Sequence, residues 1–332
     1  MQDFSKSQLD KAGNIFKKPD SSVAELDFAV DILNRWRSAH IGAISMLLGT
    51  LHNVAKQIDV SFIYAQRLKK LRSITHKLQR KPTMRLSTMQ DIGGLRFIFS
   101  SLDNAYKFYS ETLGTHWKCE LKGDDDYIKS PKFDGYRGLH LSYSLAMEEA
   151  ICNIEVQIRT RLQHVWATAV ETSKLVTGEE LKFGEGNENW KRFFVLMSSY
   201  FALQEQSKII AGTPDSKGKL ITEIADLNKK NDFLTKLEVL KTFTESTKEK
   251  LEDFAYYLLY INSEERNFKL KGYKEEQYAQ AYDDYTSSEK RENGIDNVVL
   301  VSTNSIESLK GAYPNYFADM NEFIAVLKNI LR

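Results

Sequence analysis

Cysteine is scarce in this chain. Only Cys119 and Cys152 occur among 332 residues, with no CxxC spacing and no clustered histidines. That argues against a structural zinc site and suits a reducing cytoplasm. An excess of charge of one sign is also missing: 46 Lys and Arg face 45 Asp and Glu, leaving a formal net charge of +1. The bulk balance therefore gives no sign of a nucleic-acid or membrane protein, and any basic site must be local. Long hydrophobic runs are absent. The longest, FAYYLLYI at 254–261, is too short to cross a bilayer. The first residues, MQDFSKSQLDKAGNIFKK, hold no uninterrupted apolar region, so neither a signal peptide nor an anchor is expected. Several catalytic signatures are missing too: GxxxxGK[ST], GxGxxG after a strand, GxSxG and HExxH.

What remains is ordinary globular material, 42% hydrophobic and 27% charged, enough for one large or two medium cores. Residues 21–58 place apolar residues three and four apart with a break around Gly42, which predicts two helices. The first is capped by a serine at 21 or 22 with Glu25 close behind. Residues 61–80 form a basic segment ending in a helix. LRFIFSS reads as a strand, AYKFYSETLG as a helix stopped by Gly114, and GLHLSYSLAM and NIEVQIRT as half-buried strands. The stretch beginning DDDYIKSPKFDGYRG reads as a loop entering the first of these. Helical patterning returns at 162–175. The fold class is α/β (α+β): a mixed sheet flanked by helices, followed by a second helical or α+β domain. TGEELKFGEGNENW marks the connection near 180–190, separating domains at 10–180 and 190–332. The second is expected to contain helices at 189–212 and 219–255, a hairpin turning at 262–265, a helix at 274–290 and the strand NVVLVS.

Chemistry-bearing residues gather in the first domain. Asp91 precedes a Gly-Gly pair and a strand carrying Arg96. A tight turn is the ordinary account; a magnesium ligand beside phosphates that Arg96 neutralises is the functional one. On NIEVQIRT, period two puts Glu155, Gln157 and Arg159 on one face. That face is either solvated or lines a cleft, where a carboxylate serves as general base or second metal ligand. Arg67 and Lys69 lie two apart before a helix and suit a polyphosphate. Tyr136, after Gly135, offers a ring for stacking, with Lys129 and Lys132 within reach of phosphates.

In order, QRLKKLRSI, MQDIGGLRFIF, DYIKSPKFDGYRGLHLSY and EVQIRTRLQHVWATAVE strongly resemble the synthetase domain of the RelA/SpoT family, over about residues 10–180. The resemblance implies transfer of the β,γ-pyrophosphate of ATP to the 3′-hydroxyl of GDP or GTP, making (p)ppGpp, with Mg2+ as cofactor. It assigns Asp91 to the metal and Glu155 to the hydroxyl, as catalytic residues and metal ligands. Arg67, Lys69, Arg96 and, more loosely, Arg72 fall on the ATP side. Tyr136, Lys132, His140, Gln157 and Ala167 fall on the acceptor side.

Three departures stand out. Nothing matches the hydrolase domain of full-length members, so no alarmone hydrolysis is expected. Asp134 stands where many members carry Asn. Residues 190–332 match no regulatory domain, and regulation, homo-oligomer formation or partner sensing are their open roles. An alternative keeps the chemistry and changes the acceptor to the tRNA 3′ end or to adenosine nucleotides, as in toxin-type relatives and phage defence. Another is a catalytically silent nucleotide sensor. A cytoplasmic enzyme with no membrane partner is the reading these observations support.

Overall fold

The computed structural model describes residues 5–114, 119–148, 150–177, 181, 186–238, 254–262, 267–290, 297–302 and 320–332. Its centre is an eight-stranded mixed sheet. The strands are β1 (Ile63–Leu68), β2 (Gly93–Phe99), β3 (Glu120–Asp126), β4 (Leu139–Ala146), β5 (Ile151–Thr160), β6 (Tyr256–Asn262), β7 (Asn267–Tyr273) and β8 (Asn297–Ser302). Their spatial order is β3-β4-β5-β2-β1-β8-β6-β7, with β2 and β5 parallel and the other pairs antiparallel. The expected mixed sheet flanked by helices is what forms.

Helix α1 (Lys6–Lys17) packs against α2 (Val23–Ile58), and α3 (Leu71–Arg80) follows β1. The expected break at Gly42 does not occur: α2 runs unbroken for 36 residues. A mid-helix glycine costs only about 1 kcal/mol. Against it stands one continuous buried stripe, including Ala29, Ile32, Leu33, Trp36, Ala43, Ile44, Leu47 and Leu51. The cap is as expected, with Ser22 and Glu25 forming a reciprocal capping box. Helix α4 (Leu102–Gly114) lies on the same core. The DDD stretch expected in a loop is instead the end of β3. It is an exposed edge strand that pairs with β4 from Glu120↔Ser144 to Asp126↔Leu139. Charged side chains along an open edge disfavour pairing with another strand.

A second core is built by α5 (Arg161–Thr177), α6 (Glu188–Gln204), α7 (Lys217–Asn231), α8 (Phe233–Glu238) and a carboxy-terminal helix (Asn321–Ile330). Trp166, Trp190, Phe193, Phe194 and Phe323 fill it. The expected hairpin forms as β6 and β7, and residues 263–266 between them, with most of the turn expected at 262–265, lie outside the described residues. Helix α9 (Tyr278–Lys290) packs on these strands. Most of the connection expected at 180–190, and residues 239–253 of the expected helix, also lie outside the described residues. Strands from both sides of that connection share one sheet, because β8 pairs with β1 at Gln66↔Ser302 and Arg67↔Val301. We propose the division into 10–180 and 190–332 as one of sequence modules. No helix among the described residues is long and apolar enough to cross a membrane.

Candidate active site

The parallel pairing of β2 with β5 sets the site. Gly94 lies opposite Glu155 and Arg96 opposite Gln157, while His140 of β4 lies opposite Gln157 on the other side. Strand periodicity then gathers Arg96, His140, Glu155, Gln157 and Arg159 toward one face. Ile154, Val156 and Ile158 point into the core under α2. The two glycines after Asp91 have separate reasons. A Cβ on Gly93 would sit 2.9 Å from Ile44 Cγ1, so this glycine lets α2 approach the sheet. At Gly94 the nearest atoms to a Cβ, both in Arg67, are 3.7 Å away.

At one end of the face the Asp91 carboxylate is held by two ammonium groups: Lys69 Nζ at 2.6 Å from Oδ2 and Lys77 Nζ at 3.0 Å from Oδ1. Burial pushes the Asp91 carboxyl up, but Lys69 and Lys77 more than offset it and the net direction is down. For Lys69, burial lowers the ammonium pKa and outweighs the opposing pull of Asp91. Arg67 is close enough to act in the same direction. Arg96 is 8% exposed on the central strand. Arg72 is exposed at the first turn of α3 and has no side-chain contact to these carboxylates.

Glu155 sits at the centre of a chain of polar groups. Its Oε1 lies 3.0 Å from His140 Nδ1, and its Oε2 accepts from Gln157 Nε2 at 2.7 Å. His140 Nε2 meets the Tyr136 hydroxyl at 2.5 Å, and Arg159 donates to that hydroxyl at 2.9 Å and to Gln157 Oε1 at 3.3 Å. Burial pulls the imidazole down, yet Tyr136 and Glu155 push it up to about 9. That direction favours the imidazolium, the form in which both ring nitrogens can donate, to Glu155 and to Tyr136. Burial raises Glu155, but hydrogen bonding and charge from His140, then Gln157 and Lys69, hold it well below the usual carboxylate range. Burial also raises Tyr136, and Arg159 and His140 bring it down to about 8.

Two cations lie near the Tyr136 ring, the Arg159 guanidinium and Lys132 Nζ, each 5.1 Å from its centroid. Lys132 also caps Tyr127 at 4.1 Å, and Tyr127 and His140 contact the Tyr136 ring edge-on. Ala167 stands in the second core, 6% exposed. Sequence reasoning passes over Tyr127, and it counts Lys77 only among the basic residues of 61–80 without placing it at Asp91. Lys77 lies three residues after the buried Ile74 and so on the same side of α3, a signal that gains meaning only once α3 is placed against Asp91.

The donor set fits magnesium. Asp91 offers two hard carboxylate oxygens already facing positive charge, and Glu155 is near enough to raise its pKa. Among the described residues no group of three or more His, Cys, Asp or Glu is assembled that would suit a closed cage. One or two carboxylates completed by water and phosphate is the pattern Mg2+ takes.

Known proteins share parts of this sequence. Residues 66–175 match the model of a region found in RelA/SpoT proteins. GTP pyrophosphokinase YjbM of Bacillus subtilis is 34% identical over 108 residues, covering 31% of this chain and 51% of YjbM. YwaC of the same organism, also a GTP pyrophosphokinase, is 27% identical over 175 residues, covering 50% of this chain and 79% of YwaC. A GTP pyrophosphokinase of Haemophilus influenzae is 31% identical over 144 residues but is spanned for only 17% of its length. The crystal structure of small alarmone synthetase 1 from Bacillus subtilis bound to its product pppGpp superposes with a TM-score of 0.45 at 24% identity, over 52% of this chain and 93% of that one. Residues 66–175 therefore form a region of the kind found in RelA/SpoT proteins, and the chain spans about half the length of YjbM.

Proposed function

We propose that this chain is a pyrophosphokinase that moves the β,γ-pyrophosphate of ATP to the 3′-hydroxyl of GDP or GTP. One observation carries the reading: two carboxylates at a parallel strand pair, one facing a cationic wall and the other wired to an aromatic ring. The wall of Lys69, Lys77, Arg67 and Arg96 suits the triphosphate of ATP. Tyr136, with Lys132 and Tyr127 beside it, suits the base and phosphates of the acceptor.

In the reaction the acceptor 3′-oxygen attacks the β-phosphorus of ATP, and the bond from that phosphorus to the α–β bridging oxygen breaks. AMP leaves with the bridging oxygen's electrons, and the hydroxyl proton passes to the Glu155 carboxylate. Glu155 is available because its environment keeps it ionised. Asp91, with Glu155 beside it, would hold Mg2+, whose charge offsets that of the phosphates. Lys69 and Lys77 exchange the carboxylate for phosphate oxygens when ATP arrives. The catalytic demand is thus for placement and charge neutralisation.

The deciding experiment incubates the protein with Mg2+ and ATP labelled with 32P at the γ position, separately with GDP, GTP, AMP and bulk tRNA, beside a Glu155→Gln control. Label on GDP or GTP that vanishes in the control upholds the assignment. Label on tRNA or AMP moves the acceptor to the alternative class and directs attention to Asp134, whose Oδ1 accepts from the Tyr136 amide at 2.9 Å. Bound ATP with no transfer to any acceptor would identify a sensor.

A further inference from the structure

Arg137 directly follows Tyr136, yet its side chain turns away from the nucleotide face. It is 3% exposed, and its guanidinium reaches into the carboxy-terminal half. Nε donates to Ser198 Oγ at 3.2 Å, one Nη to Ser207 Oγ at 3.5 Å, and the other to the carbonyl of Lys208. Ser198, on α6, in turn donates to the carbonyl of Gly135 at 2.6 Å. Glu205, just past the end of α6, supplies the counter-charge. Burial raises its carboxyl, and Thr160, Gln163 and Arg137 offset this only in part, so the net direction is up; Gln163 donates to it at 3.1 Å. Gln163 and Thr160 also bond each other, which ties the network to the last residue of β5.

The loop has been shaped to this contact. Gly135 has φ +99°, and a Cβ there would lie 2.7 Å from the Trp166 ring and 3.3 Å from Ser198 Cβ. Tyr136 itself packs against the second core. A buried guanidinium with every hydrogen bond directed at another module is expensive to place and easy to disturb. ATP-side groups take no part in it: Lys69, Lys77 and Asp91 bond among themselves on the other end of the face.

We propose that Arg137 and Ser198 are positioning residues through which α6 and the 205–210 turn hold loop 132–138 in register for a guanine-nucleotide acceptor. Acceptor binding, and not ATP binding, is then the property that the carboxy-terminal half controls. This rests on the reading of the Tyr136 loop as the acceptor side.

The test uses the full chain with Ser198→Ala, Ser198→Thr and Arg137→Met. Amide hydrogen exchange followed by mass spectrometry compares the peptide over 130–140 with peptides over 63–99. Titrations with GDP and with a non-hydrolysable ATP analogue are run in parallel, together with KM and kcat for each substrate. We expect Ser198→Ala and Arg137→Met to speed exchange in 130–140 alone. The Kd and KM for GDP should rise about tenfold, the scale of one missing charge-assisted hydrogen bond. Affinity for the ATP analogue and kcat should stay within about twofold, and Ser198→Thr, which keeps the hydroxyl, should restore GDP binding. Unchanged exchange in 130–140, or equal loss of both nucleotides, overturns the proposal. Should Arg137→Met fail to fold, Ser198→Ala decides alone. If the unmodified protein binds no guanine nucleotide, the functional assignment falls, and the exchange data by themselves uphold or overturn the positioning role.

Discussion

Lys69 Nζ lies 2.6 Å from Asp91 Oδ2, a pair drawn together from β1's end and the turn before β2. Lys77 closes the other oxygen at 3.0 Å. Both ammonium groups occupy the carboxylate that a divalent cation would use. In the nucleotide-free protein, Mn2+ should bind weakly, and replacing both lysines, as in Lys69→Met with Lys77→Met, should tighten Mn2+ binding while weakening ATP. A hydrogen bond from an ammonium group to phosphate contributes on the order of 1.5–3 kcal/mol, so ATP affinity should fall at least tenfold. Calorimetric titration with Mn2+ and with an ATP analogue checks both directions. Tighter ATP binding by the double variant would refute the assignment of these lysines to the phosphates.

The contact between His140 and Glu155 makes the reaction's acid limb predictable. As the proposed base, Glu155 must be ionised to accept a proton, and the hydrogen bond and charge from His140 keep its pKa low. Removing that charge in His140→Gln should raise the Glu155 pKa. The acidic limb of kcat/KM should then move to higher pH, by about one unit or more for an ion pair this close. A limb that stays in place would mean that a different group governs it.

The same histidine contributes to stability with a defined sign. Its folded pKa, about 9, lies above the unfolded value of 6.5. Its contribution is fully present below pH 6.5 and is lost as pH rises through about 9. Urea midpoints should therefore separate the unmodified protein from His140→Ala more widely at about pH 6 than at about pH 9.5. Equal separation at both values would show that His140 is neutral in the folded state.

Gly93 and Gly94 are adjacent but face different neighbours. Gly93→Ala drives a methyl group to 2.9 Å from Ile44 Cγ1 and should cost about 1–3 kcal/mol by denaturant unfolding. Gly94→Ala meets nothing closer than 3.7 Å and should cost under about 1 kcal/mol. Adding Ile44→Val should recover part of the Gly93→Ala loss. A Gly93→Ala protein as stable as the parent would remove the close-approach argument.

Arg37, fully buried on α2, donates to the Tyr285 hydroxyl of α9 and lies over its ring at 5.1 Å. Tyr285→Phe removes one acceptor from a buried guanidinium and should lower stability by about 1–3 kcal/mol. Differential scanning calorimetry should show the loss, and a neutral substitution would mean that this bond does not secure α9 to α2.

Much of the first module was legible in the chain alone, because its signals are local. The alternation of Glu155, Gln157 and Arg159 against Ile154, Val156 and Ile158 dictates which face of β5 is polar, whatever it faces. Ser22 with Glu25 marks a helix start within three residues. Local rules misled where tertiary burial outweighed them. Gly42 did not end α2, since the stripe from Ala29 to Leu51 is buried along the whole helix. The aspartates at 124–126, poor strand formers, were drawn into β3 by ladder bonds to β4.

Sequence by itself determined which residues carry charge and which carry apolar surface, and local periodicity turned that into helices, strands and one polar strand face. Only the tertiary structure decided which charges meet. The pairing of β2 with β5 crosses about sixty residues of chain, and β8's place beside β1 crosses more than two hundred. No short-range pattern encodes such a register, because it is chosen by burial of whole faces together. That choice put Lys69 and Lys77 on Asp91, wired Glu155 through His140 to Tyr136, and turned Arg137 toward Ser198.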